Sequence, residues 1–212
     1  MEGYESEKEQ VEAIRKWWKA NGKSIIVGAV LGVGLVLGGR WWLANQNKQA
    51  ELASEQYDEV MQEIKKGDKE AALERGGHLL EASAKSSYAA LTALELAKLK
   101  VDQSDLEGAR YYLQWVVDHS SQAQLKDVAR LRLGRVLVAK GDKAGALQVV
   151  NAVDANTFAF PAQELKGDIL LAQGNREAAR AAYSAAADAL PKGGDRSRIE
   201  MKLADVGGKG MP

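Results

Sequence analysis

Three patterns of apolar and polar positions succeed one another along the chain. Residues 1–23 are polar with one apolar stripe, Val11, Ile14 and Trp18 recurring at i, i+3 and i+7 with Trp17 beside them, the spacing of one helical face. Asn21-Gly22 reads as the stop of that short helix. Ser24 to Gly39 follows as SIIVGAVLGVGLVLGG, sixteen residues without a charge, closed by Lys23 and Arg40. Beyond it, residues 46–66 read as a polar helix with Ala50, Ala53, Tyr57, Val60, Met61 and Ile64 along one face, and from there a small-residue turn returns at regular intervals.

The uncharged stretch reads as a transmembrane helix. Nine of its residues are Ile, Val or Leu. At about −0.3 to −0.6 kcal/mol each they contribute on the order of −4 kcal/mol to insertion, before the smaller penalties from glycine. Sixteen helical residues reach about 24 Å, short of the roughly 30 Å hydrocarbon core. Trp41 to Ala44 extend the helix and Arg40 snorkels from near its end, which sets the span at 24–44. Trp17-Trp18 and Trp41-Trp42 stand where aromatic belts sit. A cleaved signal peptide would need small residues before its cut, whereas the chain leaves through Arg-Trp-Trp-Leu. A water-soluble core helix of this glycine content would lose about 1 kcal/mol per interior Gly relative to Ala. Gly28, Gly32 and Gly39 share one face and Gly34 and Gly38 another, small-residue stripes that suit a neighbouring helix or a homodimer in the membrane. Gly32-Val-Gly34 is no nucleotide fingerprint, because no strand precedes it.

Charge sets the orientation. Arg15, Lys16, Lys19 and Lys23 precede the span, whereas only Arg40 and Lys48 follow it before Lys65. The positive-inside rule places the amino terminus in the cytoplasm and residues 45–212 outside, in the periplasm of a didermic bacterium. The short helix of the tail can lie in the interface with its bases against anionic lipid, or serve as a positive flank only.

The recurring turn is a small residue, then Asp or Asn, then Ala four positions later: Gly67-Asp68…Ala72, Ser104-Asp105…Ala109, Gly141-Asp142…Ala146 and Gly174-Asn175…Ala179. The steps between Asp68, Asp105, Asp142 and Asn175 are 37, 37 and 33 residues. The small residue ends one helix, the Asp or Asn caps the next, and Ala lets the two pack closely. Leu96-Ala97, Leu133-Gly134 and Gly167 lie seven or eight residues before their turns, and Leu113, Val150 and Tyr183 follow the alanines by four. Gly76 stands in the first repeat where a large residue would pack. A period near 34 with paired helices resembles the tetratricopeptide repeat, over roughly residues 50–191. A short helix near Asp195 to Ala204 would cap the open end of the stack.

The reading is therefore all-α: one N-terminal transmembrane helix, then a tetratricopeptide-like α-solenoid of about four hairpins and a C-terminal capping helix. The domains are 1–23, a cytoplasmic tail with a short amphipathic helix; 24–44, the span; 45–205, the periplasmic repeat domain; and 206–212, a flexible tail.

Composition narrows the function classes. Lys and Arg total 29, as do Asp and Glu, so the basic excess that nucleic-acid binding requires is missing. The chain has no cysteine, which excludes disulfides and Cys-type metal sites. His78 and His119 lie in separate repeats without ligand spacing, and no hydrolase elbow, phosphate loop or metal motif occurs. No enzyme and no cofactor is expected. Laid on the repeats, the tetratricopeptide pattern turns Tyr57, Met61, Ile64, Leu94, Lys98, Val101, Leu131, Arg135, Val138, Glu164, Asp168 and Leu171 toward a protein-binding groove, its apolar residues interspersed with charge as suits an extended polypeptide or a partner helix.

Tyr4-Glu5, Gln10-Val11-Glu12-Ala13, Asn21-Gly22-Lys23, the Gly28 to Arg40 span with Trp42, and Tyr88-Ala-Ala-Leu91 with Glu95-Leu96-Ala97 together resemble the YfgM-type ancillary subunits of the SecYEG translocon. The resemblance runs along essentially the whole chain. It implies a single-pass type II protein of the inner membrane whose periplasmic repeats bind other proteins. Implied partners are the SecYEG translocon, a PpiD-type periplasmic chaperone and unfolded secretory proteins passed between them. Two other roles fit the same architecture, a scaffold for envelope or cell-division complexes and a regulator acting through its cytoplasmic tail.

Overall fold

The structure, a computed structural model, describes residues 2–207. Residues up to Gln49 form one compact unit and those from Ala50 onward a second; of the tail expected at 206–212, residues 208–212 lie outside the described residues. Nine α-helices account for the described chain, with no strand among the described residues.

In the first unit, α1 (Glu2–Lys66) passes through Asn21-Gly22 without a break, against the expected helix stop. Asn21 Nδ2 donates to the Trp17 carbonyl oxygen one turn back at 3.1 Å. The indole of Trp18 lies over Gly22, where an added Cβ would meet ring atoms at 3.2 Å. Both residues thus serve the helix locally and outweigh the propensity cost of glycine, about 1 kcal/mol. The apolar residues from Ile26 to Leu37 are exposed, with Leu31 at 62% and Leu35 at 78%. From Ile26 the helix is long and apolar enough to cross a membrane. Gly28, Gly32, Gly34, Gly38 and Gly39 each face open space.

In the second unit the end of α1 pairs with α2 (Lys69–Ala82). Then come the hairpins α3 (Ser87–Asp102) with α4 (Leu106–His119), α5 (Ala123–Ala139) with α6 (Lys143–Asn151), and α7 (Ala159–Ala172) with α8 (Arg176–Asp188), and last α9 (Ser197–Asp205). The four repeated turns share one geometry. At each, the Asp or Asn backbone N–H reaches back to a carbonyl five residues earlier, as in Asp105 to Lys100 at 2.9 Å and Asn175 to Leu170 at 2.9 Å. Its side chain then accepts from the third N–H of the next helix, at 3.0 Å for Asp68, 2.8 Å for Asp105 and Asp142, and 3.1 Å for Asn175. Orphan groups of both helices are satisfied in six residues. The residue before each cap has a positive φ, and Ser104 at 59° is the one non-glycine among them.

The core runs from repeat to repeat. One buried cluster reaches from Leu80 on α2 to Ile169 on α7, and a second joins Tyr183 and Ala186 on α8 to Ile199 on α9. Val206, assigned to the tail by its sequence, is 7% exposed and belongs to the second cluster. It closes α9 at its C-cap, and Gly207 follows at φ 83°.

Candidate functional site

The residues expected to line a groove separate into three sets. At the start of the array, Tyr57, Met61 and Ile64 are half-buried on the last turns of α1. The Tyr57 ring packs against Tyr88 on α3, centroids 5.8 Å apart. Burial first, then the nearby Glu95 and Asp58 carboxylates, raise the Tyr57 hydroxyl above its ordinary pKa.

In the middle, the pattern mixes core with surface. Leu94 and Leu131 are 4% and 6% exposed and belong to the core cluster, and Val138 packs against that cluster partly buried. Lys98 and Val101 of α3 and Arg135 of α5 are exposed and converge on one pocket of about 290 Å³. Its walls are Ala97, Val101, Leu106, Leu113 and Val136, and Arg132 joins Lys98 and Arg135 at its rim. Arg132 Nη1 lies 3.5 Å from the Leu94 carbonyl oxygen. Sequence reasoning missed Arg132, which falls between the one-turn steps of Leu131, Arg135 and Val138. The run Arg130, Arg132, Arg135 was the signal available.

At the far end the third set meets α9. Glu164, 6% exposed, accepts from Arg198 at 2.8 Å and pairs with Lys202 at 3.1 Å. Asp168 accepts from Lys202 Nζ at 2.6 Å and from the Tyr183 hydroxyl at 2.8 Å. Burial, then the bond to Asp168, hold that hydroxyl protonated well above its ordinary range. Leu171 is half-buried against the second cluster. On this surface the capping helix covers both carboxylates.

His119 Nδ1 lies 2.9 Å from the Trp115 carbonyl oxygen with its ring stacked on Trp115 at 4.6 Å, and His78 is exposed. Among the described residues no group of three His, Asp or Glu could hold a metal. The chemistry on offer is recognition: an apolar recess framed by cations, and paired acids under a cap.

Comparison with known proteins places this architecture. A family model for a tetratricopeptide repeat-like domain matches residues 15–208. The ancillary SecYEG translocon subunit of Escherichia coli (strain K12) is 36% identical over 187 residues, 87% of this chain and 89% of that protein. The protein of the same name from Haemophilus influenzae (strain Rd) is 32% identical over 200 residues, 94% of this chain and 95% of that one. Its namesake from Neisseria gonorrhoeae is 24% identical over 208 residues, 96% and 98% of the two chains.

Proposed function

The chain belongs to the YfgM family of ancillary SecYEG translocon subunits, and from that premise we propose that it hands secretory polypeptides from the translocon to periplasmic chaperones. The accessory role at the translocon goes with the family, which is not an enzymatic one. In the proposal α1 anchors the protein in the inner membrane, with its glycine stripes seating a membrane neighbour. The repeat domain stands in the periplasm, where emerging chains and a PpiD-type chaperone meet it. The observation that carries the reading is the exposed cationic and apolar surface at Lys98, Val101 and Arg135. A repeat array offers such a surface to polypeptides at low structural cost, because each hairpin is held by its neighbours.

Photo-crosslinking from Lys98, Val101 or Arg135 in membranes that are actively exporting protein tests it. These positions are preferable to Leu131, which faces the core. Adducts with translocon subunits, an exported chain and a periplasmic chaperone are expected. Labelling of lipid or of the protein itself alone would refute the handover. Recovery of division proteins without translocon subunits would favour the scaffold.

A further inference from the structure

The recess between α3, α4 and α5 has a chemical preference written into its rim. Its walls are almost wholly aliphatic, and three cations stand around it, Lys98 on α3 and Arg132 and Arg135 on α5. Among the described residues none of the three has a carboxylate within ion-pair distance, although Asp102 lies one turn along from Lys98. The bases nearby behave differently: Lys100 pairs with Asp105 at 3.0 Å, Arg130 with Asp127 at 2.7 Å, and Lys140 with Glu107. The chain as a whole balances 29 bases with 29 acids, and three cations without an ion-pair partner around apolar walls give the recess a local positive rim.

We propose that this recess takes an apolar side chain from a polypeptide segment whose flanks are acidic, with Lys98, Arg132 and Arg135 selecting the carboxylates. The proposal rests on the reading of the repeats as a protein-binding surface and adds the class of segment bound. Apolar burial supplies the affinity and the rim charges supply the selection, the usual division at a mixed site. Size alone does not choose between a side chain and a small molecule, because at about 290 Å³ the recess lies at the lower edge of the roughly 300–1,000 Å³ of small-molecule pockets. Its cations sit on two helices, as suits carboxylates spread along a segment.

The test uses the full chain in phosphatidylcholine nanodiscs and three fluorescein-labelled 12-residue peptides. Each carries the same central Leu-Phe-Leu, flanked by Glu, Gln or Lys. By fluorescence polarisation the Glu peptide is expected to bind about tenfold tighter than the Gln peptide, and the Lys peptide weakest, with the preference shrinking as salt rises. The double variant K98E/R135E, at two exposed positions, is expected to reverse the order while keeping the wild-type melting curve, and K98R/R135K to retain it. V101S is expected to weaken all three peptides together. Equal binding of the three peptides by the wild type, or unchanged Glu-peptide binding by K98E/R135E, would overturn the proposal. So would displacement of a bound probe by dodecanoate when no peptide competes, which would assign the recess to small amphiphiles. The accessory role fails separately, if the wild type captures no translocon subunit from solubilised membranes.

Discussion

At the scale of single residues, packing between paired helices depends on where volume is placed. A Cβ on Gly134 would meet Val150 Cγ2 at 2.7 Å, and one on Gly167 would meet the Tyr183 ring at 2.3 Å. In both hairpins a glycine on the first helix receives a large side chain from the second. The first repeat reverses the sizes. Val60, fully buried, stands at the position equivalent to those glycines, and Gly76 stands where Val150 and Tyr183 do. Leu96 of the next repeat fills the space, 2.6 Å from where a Gly76 Cβ would be. The apparent defect at Gly76 is therefore filled from outside its own repeat, which a repeat-by-repeat reading does not show. Gly167→Ala must push against Tyr183, itself buried and bonded to Asp168, and is expected to lower stability by about 2 kcal/mol. Gly77→Ala on α2 meets open space and is expected to raise it by up to about 1 kcal/mol. Urea midpoints of the two variants in detergent check the opposite signs. Ser104 holds a left-handed φ of 59° where three sister turns use glycine, so Ser104→Gly is expected to stabilise by about 1 kcal/mol. An unchanged or lower midpoint would show that the serine is not strained.

At the scale of elements, the turns are what the sequence announces best, because each is local. Gly or Ser, then Asp or Asn, carries its hydrogen-bond geometry within six residues. The break expected at Asn21-Gly22 fails for the same reason in reverse: Trp17 and Trp18, one turn earlier, use both residues to continue the helix. The groove is half legible. One-turn spacing identifies a face of α3 or α5, but which of Leu94, Lys98, Leu131 and Arg135 reaches solvent depends on packing between repeats. The N-cap Asp105 has its pKa lowered, by the Gly108 N–H first and Lys100 next. Its contribution is therefore complete above the unfolded carboxyl value of about 3.9 and is lost as pH falls through the lower folded value. Asp105→Asn keeps the acceptor without the titration, as Asn175 does naturally. Its stability should fall less steeply than that of the wild type below about pH 4, which urea titrations across that range would read. The capping helix is held by Ile199, fully buried, and by the ion pairs of Arg198 and Lys202. Ile199→Ala is expected to cost about 3 kcal/mol within this unit. Limited proteolysis should then cut between Pro191 and Asp195 while fragments from α3 to α6 survive. Simultaneous loss of the whole array would show the repeats to be one cooperative block.

At the scale of the whole molecule, formal neutrality leaves no long-range field to direct the chain, so its orientation must come from how charge is distributed near the apolar span. Residues 1–40 carry six bases and five acids, but the acids Glu2 to Glu12 lie farthest out and Arg15, Lys16, Lys19 and Lys23 lie next to the span. Bases within about 15–20 residues of a span count in the positive-inside rule, while acids contribute little. The absence of cysteine makes the resulting orientation directly measurable, since a single introduced thiol is the one reactive site. Gln148→Cys, on an exposed position of α6, is expected to react with an impermeant maleimide added to spheroplasts, and Gln10→Cys only after lysis. Replacing Arg15, Lys16, Lys19 and Lys23 with Gln removes the asymmetry and leaves Arg40 and Lys48 as the nearest bases. The Gln148→Cys thiol should then become partly protected. If it stays fully accessible, translocation of the folded repeats rather than flanking charge fixes the orientation, and if it is protected in the wild type the repeat domain lies in the cytoplasm, where no emerging periplasmic chain could reach it.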